Sequence, residues 1–180
     1  MSDETVSVWD PAVRLFHWGL VASFVVAWLT SEDGEALHQR AGYAAGALIA
    51  ARVLWGLSGS SYARFAQFLR SPSVIAGFLS AMAVGREPRY LGHNPAGGVM
   101  IVVLLLTVGG VAVTGWMYTL DAFWGVEWVE DTHKLLANLL LAMVVAHIAG
   151  VLLACFRHRE NLVYAMIVGR KRAPAPMDVA

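Results

Sequence analysis

Four stretches of this chain, approximately residues 12–29, 41–57, 98–119 and 132–156, are apolar almost without interruption. About 20 helical residues, rising 1.5 Å each, cross the roughly 30 Å hydrocarbon layer of a bilayer, so each stretch can serve as a span. The first two are short and need a neighbour to cover their ends. Helix is the only structure open to them, because a lipid-exposed strand or loop leaves backbone groups unpaired. Composition agrees. Of 180 residues 58% are apolar and 14% charged, against about 25% charged in a soluble domain, and the mean hydropathy is +0.59.

The expected architecture is therefore all-α: an integral membrane four-helix bundle forming one domain over residues 1–172, followed by a flexible tail, 173–180. The opening "MSDETVSVWDPAVRLFHW" starts acidic and has no small-residue cleavage site after its apolar run, so the first span is expected to remain in place. Cys155 is the single cysteine. It excludes an intramolecular disulfide and a C-x-x-C-H haem attachment. No nucleic-acid partner is expected; the surrounding partner is membrane lipid.

Loop charge sets the orientation. The turn between spans one and two carries Glu32, Asp33 and Glu35 against Arg40, and the turn between spans three and four carries Asp121, Glu127, Glu130 and Asp131. The 58–97 loop holds Arg64, Arg70, Arg86 and Arg89, and the tail after Phe156 holds Arg157, Arg159, Arg170, Lys171 and Arg172. The positive-inside rule then places both termini and the long loop in the cytoplasm. Trp18, Trp28, Trp55 and Trp116 fall near span ends, where indoles sit at headgroup level. Within the long loop, Ser71 and Pro72 open a helical pattern in which Ile75, Phe78, Leu79 and Met82 share a face until Gly85. It reads as an interfacial helix between spans two and three, lying on the cytoplasmic surface.

Against this background the histidines stand out. His133 and His147 are fourteen residues apart in span four, roughly 21 Å along the axis. Fourteen steps of about 100° fall roughly 40° short of four turns, so both imidazoles leave the helix on nearly one side. His17 opens span one at the depth of His147, and His38 opens span two at the depth of His133. Each membrane half thus holds two histidines from two helices. Ionisable residues inside a membrane are rare and usually functional, and an unpartnered buried imidazole costs about 1–3 kcal/mol.

A haem iron with two axial imidazoles meets that demand. Zinc is the competing demand, but it wants four donors converging at about 2 Å, which histidines at two depths cannot provide together. A third reading has the histidines bonding across helices in a haem-free membrane anchor or assembly subunit. Gly42 and Gly46 would leave room for a flat macrocycle beside His38. Arg52, fourteen residues after His38, is placed to pair with haem propionates at the inner level; Arg14 is a second inner candidate and Arg40 an outer one.

The motifs "WDPAVRLFHW" in span one, the histidine opening span two, "RYLGHNPAGG" before span three and "THKLLANLLLAMVVAH" in span four resemble the bacterial cytochrome b561 family, which includes the b-type cytochrome subunits of nickel–iron hydrogenases. The resemblance covers roughly residues 8–172. It implies two haem b groups, one ligated by His17 and His147 and the other by His38 and His133, in a multi-pass protein of the bacterial inner (cytoplasmic) membrane. It further implies electron transfer between a periplasmic redox partner and membrane quinone, ubiquinone or menaquinone. With both axial positions filled, electron transfer rather than oxygen chemistry is expected, and no residue is assigned a catalytic role. The acidic outer loops favour a basic c-type cytochrome as partner. Some members of the family act as superoxide:quinone oxidoreductases, a task that such a negative surface serves poorly. For the quinone, Arg89, Tyr90, His93 and Asn94 supply hydrogen-bonding groups on the inner approach to span three.

Overall fold

The computed structural model describes residues 4–179. Four long helices carry the chain: α1 (Pro11–Leu29), α2 (Glu35–Ser58), α5 (Pro95–Tyr118) and α6 (Glu127–His158). Between α2 and α5 lie a single turn, α3 (Phe65–Phe68), and the twelve-residue α4 (Pro72–Ala83). A 3-10 turn (Asp121–Phe123) precedes α6, and α7 (Leu162–Val168) follows it. Two short strands, β1 (Thr5–Ser7) and β2 (Arg170–Arg172), pair antiparallel with Thr5 opposite Arg172.

All four long helices are long and apolar enough to cross a membrane, and only 6–17% of the residues in their most apolar windows are buried within the protein. Their apolar side chains face outward, as lipid requires and water does not allow. The helices begin earlier than the apolar stretches do. In α2 the extra residues include His38, Gln39 and Arg40, and in α6 they include Glu127 and Glu130. Acidic first-turn residues are stabilised by the helix dipole, so polarity at a span's edge does not end the helix.

Local chemistry explains where the elements start. Asp10 accepts a hydrogen bond from the Val13 amide (2.8 Å) and Pro11 occupies the first helical position, an N-cap of about 1 kcal/mol. Asn94 caps α5 in the same way through Gly97 N (2.7 Å), again with proline next. Asn161 caps α7 through Tyr164 N (2.9 Å), and Gly169, at φ 82°, ends it in the left-handed conformation. Helix α4 runs where the sequence pattern places it. Its last turn receives Arg157, whose Nη1 donates to the Met82 carbonyl (2.6 Å) and to Glu87 (2.7 Å).

The chain divides into two compact units. The first comprises the segments up to Arg14, Trp55–Val102 and from Ala146 onward; the second comprises Leu15–Leu54 and Val103–Val145. In the first, Val8, Trp9, Val13 and Ala63 form a buried core joined by Trp55, Tyr62 and Met166. Trp55, expected at headgroup level, donates its Nε1–H to Asp10 (3.2 Å), which also accepts from the Ser60 hydroxyl. Burial pushes the Asp10 carboxyl up, but these bonds and the Val13 amide outweigh it and hold the group below its ordinary value.

The largest departure from expectation is the end of the chain. Residues 173–179 do not trail free. The Ala173 amide donates to the Glu4 carbonyl, Val179 N donates to Arg89 O (2.8 Å), and Leu91 N returns a bond to Val179 O (2.9 Å). The reason is the buried guanidinium of Arg89, 5% exposed. It is held by Glu160 (Nη2–Oε1 2.6 Å), by Asp178 and by the Arg172 carbonyl, and Asp178 lies in the tail. Lys171, also buried, donates to the carbonyls of Tyr90 and Leu91 and sits 3.7 Å from Glu160. Burial raises the Glu160 carboxyl, yet the Arg89 hydrogen bond and the Lys171 charge bring it below its usual range.

Candidate functional site

The second unit is a four-helix bundle, with portions of α1, α2, α5 and α6 closing on one another through small residues. Gly19 faces Leu48, Gly46 faces Ala112, and Gly110 faces Leu136. Gly46 therefore serves the contact between α2 and α5 rather than the space beside His38, contrary to expectation. A cleft in this bundle is walled by Leu20, Phe24, Val108, Ala112 and Leu140, and both His38 and His133 line it.

The two imidazoles face one another with ring centres 6.0 Å apart and planes at 73°. Both are half-buried. Each has its Nδ1 committed elsewhere. His38 donates from Nδ1 to the Ala27 carbonyl (2.8 Å), one of the last-turn carbonyls of α1 that lack an intrahelical donor. His133 Nδ1 lies 3.1 Å from the Val111 carbonyl and 3.1 Å from Thr114 Oγ1. The Thr114 hydroxyl itself donates to Gly110 O (2.8 Å), so it receives rather than gives at His133. Carbonyls only accept, and both rings are therefore protonated at Nδ1, which leaves Nε2 of each with its lone pair available as a ligand.

That pair fits an iron between two axial imidazoles. Rings bound end-on through bonds of about 2 Å put their centres roughly 6 Å apart. Among the described residues no group of three or more His, Cys, Asp or Glu could hold a metal ion, so a bare ion between these rings would lack protein donors, whereas a porphyrin brings four nitrogens of its own. Gly42 lines the cleft, and an added Cβ there would meet nothing within 4 Å, so α2 leaves open space on this face.

Gly115 has the opposite role. A Cβ there would stand 3.0 Å from His133 Cε1, so glycine is what lets the ring lie against α5. Gly115→Val is expected to turn His133 away from the cleft. If an iron is held between these rings, its low-spin signature, read by electron paramagnetic resonance, should give way to a high-spin one. Thr114 and Gly115 escaped the sequence reading, although the pair "TG" inside span three is the only threonine–glycine step in the chain.

The remaining candidates separate. His17, in the same unit, and His147, in the other, are each half-buried. Arg52 is buried in α2 at 6% exposure. Arg40 is exposed and does not line the cleft. Arg14 is spent on the fold, its Nη1 donating to the Ile167 carbonyl (2.7 Å) near the end of α7. The four quinone candidates serve structure as well: Arg89 anchors the ion-pair cluster, Asn94 caps α5, Tyr90 packs on Phe78 and gives its carbonyl to Lys171, and His93 lies between the rings of Trp9 (4.6 Å) and Phe68 (4.8 Å).

Among curated proteins and solved structures, none matches the chain. A family model described as prokaryotic cytochrome b561 matches residues 8–169. This covers the four long helices in full and all four histidines of the expected ligand set, and the chain accordingly belongs to the prokaryotic cytochrome b561 family, transmembrane electron-transfer cytochromes that bind haem b.

Proposed function

We propose that this chain holds two haem b groups, one between His38 and His133 and one between His17 and His147, and carries electrons across the bacterial inner membrane between a periplasmic redox protein and membrane quinone. The observation that supports it most is the His38–His133 pair, with ring centres 6.0 Å apart and both Nδ1 atoms engaged. The second pair rests on the sequence: His147 repeats the face of His133 fourteen residues on, and His17 matches it in depth.

When bound, haem b supplies an iron that accepts and releases one electron. The protein's part is to hold, orient and insulate. Nε2 of His38 and His133 would hold the haem iron through the lone pairs that their Nδ1–H bonds leave free. Hydrogen bonds from Nδ1 to the Ala27 and Val111 carbonyls fix both rings and raise their basicity, favouring the oxidised state. Leu20, Phe24, Val108 and Leu140 keep water from the site. Arg52 would pair with propionates at the His17–His147 level, since its place fourteen residues after His38 puts it at that depth.

Loop charge supports termini in the cytoplasm and α4 on the cytoplasmic surface. It also supports an electronegative outer face, formed by residues such as Glu32, Asp33, Glu35, Asp121, Glu127 and Asp131, that attracts a basic c-type cytochrome and repels superoxide. In proteoliposomes containing quinone, with a basic cytochrome c added on the side of these loops, cytochrome turnover should require quinone and slow as salt rises. Fast superoxide consumption slowed by salt, with the cytochrome inert, would reverse this order and favour a superoxide:quinone oxidoreductase.

A further inference from the structure

The walls of the His38–His133 cleft are mostly apolar; apart from the two histidines and the buried Ser23 of α1, their polar side chains are Gln39 and Tyr43 of α2 and Thr119 just past α5, with the exposed indole of Trp116. The Tyr43 hydroxyl lies 3.2 Å from Thr119 Oγ1. Thr119 has a single hydroxyl proton, and it goes to the Trp116 carbonyl (2.7 Å). Tyr43 must therefore be the donor to Thr119, and its O–H is held by a neutral hydroxyl, a weak acceptor that a carboxylate outcompetes.

A haem b molecule is a flat apolar ring with two carboxylate arms on one edge. In a low-dielectric cleft those arms must leave where donors are, because an unpaired carboxylate in an apolar wall is costly. We infer that Tyr43 and Gln39 receive the propionates of the haem held by His38 and His133, and so fix which way round the macrocycle sits. Tyr43 O–H turns from Thr119 to a propionate oxygen, and the Gln39 amide N–H donates to the same edge. Arg40, the basic residue nearest in sequence, is exposed and off the cleft lining. The assignment rests on the His38–His133 haem reading and goes beyond it by naming the residues that select the orientation.

The test uses the purified full-length protein carrying its haem. In Tyr43→Phe the propionate bending band in resonance Raman spectra should shift while the axial-ligand signals stay as they were, a separation that a merely structural role for Tyr43 would not produce. A second measurement strips the haem and titrates it back, alongside its dimethyl ester. The unaltered site should prefer haem b over the ester by about tenfold, a factor ordinary for one charge-assisted hydrogen bond. Tyr43→Phe and Gln39→Leu should each shrink that preference. An unmoved propionate band together with an unchanged preference overturns the assignment. Failure of the underlying reading looks different: His133→Leu would then leave the haem content of the protein as it was.

Discussion

A His133→Leu chain should purify with half the haem b of the unaltered protein and with transmembrane electron transfer slowed by a hundredfold or more. The leucine is close in volume to the imidazole and suits the apolar cleft, so the fold should survive. What disappears is one of the two proposed haem ligands, the ring that His38 faces at 6.0 Å. His38→Leu should remove the same haem. His147→Leu should remove the other one, leaving the His38–His133 signals intact. Loss of one and the same haem in His133→Leu and His147→Leu alike would refute the pairing by depth. Haem extraction, optical redox titration and electron paramagnetic resonance on the three variants give the answer together.

The second large effect is on stability. Arg89→Ala should destabilise the folded chain by roughly 3–5 kcal/mol, because it leaves the buried Glu160 carboxylate and its neighbour Asp178 without their cation. Removing the guanidinium also frees residues 173–179, whose amides should then exchange with solvent far faster. Arg89→Lys should recover little, since an ammonium cannot donate to Glu160 through two nitrogens at once, as Arg89 does through Nε and Nη2. The same cluster gives a pH dependence. Glu160 and Asp178 both ionise below their ordinary values when folded: burial opposes this, while the Arg89 bonds and, at Asp178, the Ala175 amide bring it about. Their contribution is complete above the unfolded carboxyl pKa of about 4 and is lost as pH falls through the lower folded values. Thermal unfolding followed from pH 7 to pH 3 should show the unaltered protein losing stability at the acid end. Arg89→Ala should lose much less over that interval.

Much of the bundle could be read from residue order alone because its causes are local. Apolar runs of span length and Ser71–Pro72 before α4 each act within a few residues. That the rings of His38 and His133 lie at one level was legible for another reason: in a membrane helix, depth follows from residue count, so two distant positions can be matched without knowing the packing. Contacts that depend on packing were not legible. Nothing near Arg89 in sequence announces Glu160 or Asp178, and a polar arginine in a turn reads as available for a ligand when it is in fact buried among carboxylates. Thr114 and Gly115 act on His133 only because α5 lies against α6 at that level. Gly42 and Gly46 look alike in sequence, yet one opens the cleft and the other meets Ala112 at 3.5 Å.

The haem content and spin state of the purified protein test the central claim most directly. The account predicts about two haem b per chain, reducible, with two low-spin ferric signals of bis-imidazole type, one of which vanishes in His133→Leu. A folded, helical preparation that is colourless, or whose haem is unaffected by both His133→Leu and His38→Leu, would contradict it.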